Sequence, residues 1–99
     1  MDRYGNFRLI VFDYTGWIRC ETTDLELLKH LGSDMEQYYK QYMNNQSLNI
    51  GILTLDKVSA LQHKISHYIE SYVCSNGWEP YAYAGKIGTE HIVSFRKKY

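Results

Sequence analysis

Ninety-nine residues, 44% of them hydrophobic and 15% aromatic, suffice for one domain around one core and are too apolar for a disordered chain. Eleven Lys and Arg against eleven Asp and Glu give zero formal net charge. That speaks against a general nucleic-acid binder, whose affinity rests on excess Lys and Arg, and equally against an acidic mimic of DNA.

Two cysteines, Cys20 and Cys74, are too few for a disulfide framework, although a single bond between them stays open. No charged-then-apolar leader opens the chain, and no apolar run nears the ~18 residues of a membrane span. The expectation is a soluble, cytoplasmic protein with free thiols.

In chain order, residues 1–6 read as a loose polar end. Residues 7–12 are almost continuously apolar or β-favouring, which predicts a strand that is central in a sheet or covered on both faces. Tyr14-Thr15-Gly16 reads as a turn and residues 17–21 as the returning strand of a hairpin. Thr23-Asp24-Leu25-Glu26 fits a capping box, opening a helix with Leu25, Leu28 and Leu31 on one face. Ser33-Asp34-Met35-Glu36 fits a second box, opening a helix striped by Met35, Tyr38, Tyr39, Tyr42 and Met43. Gly32 between them is either a kink in one helix or a corner between two. Asn44-Asn45-Gln46-Ser47 ends this region.

Residues 48–53 alternate enough for a short strand but do not require one. Thr54 or Asp56 then caps a long helix running to Val73, with Val58, Leu61, Ile65, Tyr68, Ile69 and Tyr72 along its apolar face. Ser75-Asn76-Gly77 supplies its stop. Residues 78–84 read as a strand, Gly85-Lys86-Ile87-Gly88-Thr89 as a turn, and residues 91–96 as the last strand. Pro80 removes a ladder donor, so its strand belongs at an edge or carries a bulge. The expected fold is α+β in a single domain: an antiparallel sheet of about four strands, from an N-terminal and a C-terminal hairpin, with two to three helices packed on one face.

The closing segment carries a resemblance. A helix, then Gly77-Trp78-Glu79, a strand, a glycine-containing turn and Ser94-Phe95-Arg96-Lys97 resembles a group of small bacterial domains of unknown function that end helix, "GWEL", strand, turn, "FKR". The likeness covers at most the last half of the chain, and Pro80 stands where that group has a strand-forming aliphatic residue. It implies a fold fragment and no activity.

Ten tyrosines are the unusual feature of the composition. Tyrosine brings apolar area and a hydroxyl at low entropy cost, so it is over-used on binding surfaces, and it also covers the rims of small cores. The Tyr38, Tyr39, Tyr42 and Met43 stripe is the candidate partner surface, with a core role as its rival. Tyr81 and Tyr83 on one strand face, with Lys86 and Arg96 nearby, make a candidate single-strand nucleic-acid site, against which Glu79 on the same face counts. Gly85-Lys86-Ile87-Gly88 has the form of a nucleotide-clamping loop, but between two strands it reads as a hairpin turn.

His63 and His67 stand four apart on a helix and could share a zinc ion, with Glu70 and Cys74 along the same stripe. A straight helix separates positions 63 and 74 by ~16 Å, so the four cannot hold one metal, and the stripe reads as a solvated face. No phosphate-binding loop, dinucleotide fingerprint or nucleophile elbow occurs. The expectation is a non-enzymatic protein-interaction module without a cofactor. It would be a homodimeric regulator or inhibitor of phage or mobile-element type. Single-stranded nucleic-acid binding and a metal site at His63 and His67 are the alternatives.

Overall fold

The computed structural model describes residues 4–12, 15–39, 43–44, 51–55, 58–87 and 90–98; for residues 4, 36–39, 43–44, 59 and 84–87 it describes the backbone alone. The chain is α+β. Strands β1 (Tyr4–Phe12) and β2 (Trp17–Thr22) precede helix α1 (Leu25–Tyr39). Strands β3 (Met43–Asn44) and β4 (Ile52–Leu55), a 3-10 turn (Ser59–Leu61) and helix α2 (Gln62–Ser75) follow, and β5 (Glu79–Ile87) and β6 (Glu90–Lys98) close the chain. Five strands form an antiparallel sheet that the two-residue β3 extends at one end, in the order β3-β4-β2-β1-β6-β5.

β1 is central, as its apolar run requires, pairing with β2 on one side and β6 on the other. Gly16 makes the first hairpin: its φ of 73° suits a residue without a Cβ, and its N–H donates to Phe12 O at 3.0 Å. The far end of that hairpin is tied by hydroxyls. Thr22 Oγ1 donates to Asn6 O at 2.7 Å, and Thr23 Oγ1 accepts from Asn6 N at 3.2 Å. The threonines being so engaged, Asp24 caps α1 instead of Thr23, its Oδ1 accepting from Leu27 N at 3.0 Å.

α1 runs unbroken through Gly32, so the second capping box at Ser33 opens nothing. Leu28, Leu31 and Met35 are all fully buried on one face of it. Their burial outweighs the ~1 kcal/mol that a mid-helix glycine costs. The helix stops at Tyr39, and Met43 begins β3, so the expected stripe of five side chains on one helix does not exist. Tyr42 lies outside the described residues, as do residues 48–50, Asp56 and the turn residues Gly88 and Thr89.

Thr54 sits inside β4 and caps nothing; α2 starts at Gln62, after the 3-10 turn. Its stop matches the sequence. Gly77 (φ 90°) donates to Cys74 O at 3.1 Å and Trp78 N to Val73 O at 3.3 Å, the paired closing bonds of a Schellman motif. β5 continues through Gly85, Lys86 and Ile87, which the sequence placed in a turn.

Both helices lie on one face of the sheet. Leu28, Leu31 and Met35 of α1 and Ile65, Ile69 and Val73 of α2 join Phe7, Leu9, Ile18, Cys20, Leu53, Leu55 and Phe95 of the strands in one buried cluster. Trp78, 3% exposed, closes its end against Phe7, whose ring also meets Phe95 edge-on at 6.0 Å. The result is a slab of 42 × 29 × 22 Å, two layers thick. No described helix is long and apolar enough to cross a membrane.

Candidate interaction surface

A sheet with helices on one side presents its other side. Residues directly opposite each other in an antiparallel pair share a face, so the register fixes which side chains populate it. One row runs Thr54, Arg19, Ile10, Ile92 across β4, β2, β1 and β6. The row on one side runs Trp17, Phe12, Glu90, and on the other Ile52, Glu21, Arg8, Ser94. Beyond that row come Asn6, Arg96 and Glu79.

The centre of this face is apolar and aromatic. Ile10, outside the helix-covered cluster, is 5% exposed, while Trp17 is 39% exposed at the edge. Arg19 lays its guanidinium over the Phe12 ring at 5.7 Å, and Arg96 lies over Tyr81 at 5.4 Å. The Arg19 Nε is buried and has no hydrogen-bond partner among the described residues. The chain has four arginines, and three of them, Arg8, Arg19 and Arg96, are on this face.

Two arginines meet carboxylates there. Arg8 stands 3.9 Å from Glu21, and Arg96 Nε donates to Glu79 at 3.0 Å. All four side chains are substantially solvated, so each pair contributes at most about 1 kcal/mol. Their effect is on the field: Arg8, Arg19, Arg96 and Lys98 are opposed by Glu21, Glu79 and Glu90, and the face is nearly neutral.

The residues picked from sequence are scattered. Tyr38 and Tyr39 form the last turn of α1, and Met43 is a strand residue at the end of the sheet. Tyr81 and Tyr83 do not share a face. A register break between Pro80 and Ala82 shifts the alternation of β5. Tyr81 therefore reaches Asn6 Oδ1 (3.3 Å) and Arg96 on the open face. Tyr83 pairs with Val93 and meets His91 Nδ1 at 3.3 Å on the helix-bearing face. Lys86 stands opposite His91 in the ladder, so the proposed four-residue nucleic-acid site is divided between two sides. Glu79 is with Arg96 and Tyr81, as expected.

His63 and His67 are both exposed on α2, and the described residues contain no group of three His, Cys, Asp or Glu placed to hold a metal ion. Cys20 is buried and Cys74 exposed, both as free thiols; burial, and then the charge of neighbouring Glu21, pushes the Cys20 thiol well above its ordinary range. Tyr68 and Tyr72 stack on each other at 6.3 Å and cover the core rim, so this part of the tyrosine excess is structural. Burial, and then Asp34, raises the Tyr72 hydroxyl.

Sequence reading missed the open face because residues 7–12 look apolar throughout. The usable signal was finer: Arg8 and Arg19 fall on the same side of the predicted hairpin, away from Phe7, Leu9 and Cys20. Compared with known proteins, the chain matches no family model, no curated protein and no solved structure.

Proposed function

We propose that this domain is a non-enzymatic protein-interaction module that binds a second copy of itself through the open sheet face. The carrying observation is Arg19: a guanidinium whose buried Nε has no hydrogen-bond partner among the described residues, stacked on Phe12 beside Ile10 and Trp17, on a face that no described helix covers. Arginine and aromatic residues around an apolar centre, with charges toward the margin, are the composition of a docking surface.

Two features favour a copy of the same chain. An isologous interface presents one patch to itself, so it needs both signs of charge on that patch, and this face holds both. Its size also suits. Strands of nine, six, four, nine and nine residues set about 4.8 Å apart span roughly 600 Å², the low end of the ~600–1,000 Å² per partner of a standard interface. The near-neutral face and the Arg–Glu pairs count against phosphate-backbone binding, which draws on uncompensated cations.

The test is sedimentation or light scattering of wild type beside Arg19→Glu and Trp17→Ala. A dimeric wild type with monomeric, folded variants supports the proposal. A wild type that stays monomeric near millimolar concentration overturns it, and salt-sensitive binding of single-stranded oligonucleotides by that monomer moves the assignment to nucleic acid.

A further inference from the structure

On the opposite side of the sheet, α2 leaves part of the β1–β6–β5 surface uncovered, and a cavity of about 210 Å³ opens there. Its floor is Leu9, Val11 and Val93, and its walls carry His63 and Glu70 from α2 and Tyr83 and His91 from β5 and β6. The size is meaningful, since a cavity of about 150 Å³ holds a benzene molecule.

Among the described residues lining the cavity, Glu70 is the carboxylate. Glu70 is partly buried and, among the described residues, has no ion-pair partner. No Lys or Arg is among the described residues lining the cavity. Across from α2, the Tyr83 ring is 65% exposed and held at its hydroxyl by His91 Nδ1 at 3.3 Å. A carboxylate and an electron-rich ring, both lining a groove with an apolar floor, each attract a cation. An anion would meet Glu70, and a metal ion lacks a third ligand among the described residues.

We propose that this groove is a binding site for a small organic ammonium with an apolar body, the charge resting between Glu70 and the Tyr83 ring and the body on Leu9, Val11 and Val93. The reading is independent of self-association, because the groove and the open face lie on opposite sides of the sheet.

Titration of the ¹⁵N-labelled full chain with benzylammonium, followed by amide correlation spectra, tests it, with benzyl alcohol as the uncharged control. Saturable shifts confined to residues 63–70, 83 and 91–93 are expected, with affinity reduced on the order of tenfold for benzyl alcohol and for Glu70→Gln. Tyr83→Leu, an exposed position, is expected to weaken binding while keeping a dispersed spectrum. Absence of saturable shifts, shifts scattered over the molecule, or unchanged affinity in well-dispersed Glu70→Gln overturns the proposal.

Discussion

At the scale of single residues, the backbone makes the sharpest demands. Gly51 has φ 82°, and a Cβ built on it would stand 2.6 Å from Thr22 O, a backbone atom with no freedom to withdraw. Gly77 has φ 90°, but its Cβ would meet only the Lys97 side chain, at 3.5 Å. Gly51→Ala is therefore expected to cost about 3 kcal/mol and Gly77→Ala about 1 kcal/mol, read as shifts in urea midpoint. Equal costs would mean that the approach of Thr22 to Gly51 is not rigid. The two thiols should also separate cleanly. Cys74 should react at once with a thiol reagent in the native protein, and Cys20 only on unfolding. Because Cys20 holds its proton in the folded state beyond the ordinary thiol range, only the unfolded chain releases it as pH rises past about 8.5, so stability falls from there upward. Cys20→Ala should flatten that alkaline slope in denaturation curves taken across pH.

At the scale of elements, periodicity was a sound guide wherever an element buries one face. Ile65, Ile69 and Val73 are fully buried as the pattern of α2 requires, and Leu28 and Leu31 likewise in α1. What sequence hid has physical causes. β4 is four residues long, too short for alternation to stand out, and its Thr54 resembles a helix cap. Pro80 has no N–H to offer β6, so the ladder slips beside it and Tyr81 and Tyr83 part company. Gln62 gave no sequence signal at all, yet it is buried and its Nε2 donates to Phe12 O at 3.1 Å and Trp17 O at 3.2 Å. It pins the first turn of α2 to the mouth of the β1–β2 hairpin. Gln62→Leu fills the same space without the donors and should cost about 2 kcal/mol in chemical denaturation. A neutral result would show that water replaces both bonds. Trp78 opens the segment after the glycine stop, and its 3% exposed indole closes the end of the core. Trp78→Ala should cost about 3–5 kcal/mol, enough to bring a domain of this size near unfolding.

At the scale of the whole molecule, the described architecture is lopsided: both helices serve one face of the sheet, and among the described residues the other presents Arg8, Ile10, Phe12, Trp17, Arg19 and Ile92. Net neutrality removes the long-range repulsion that would oppose self-association. The edges of the sheet offer a poorer route. β5 is the edge strand at one end and is irregular at two places, which spoils it as a template for another strand and favours the proposed association through the face. Met43 belongs to β3 and not to α1, so the expected Tyr38, Tyr39, Tyr42 and Met43 stripe is not carried by one helix. Sedimentation equilibrium of the wild-type chain, from low micromolar to near millimolar concentration, separates a self-associating face from a monomer. The mass is expected to rise to twice 11.7 kDa, and a folded Arg19→Glu variant to stay at 11.7 kDa throughout; a wild type that never leaves 11.7 kDa, or an Arg19→Glu variant that dimerises equally well, means that the open face is not a dimer interface.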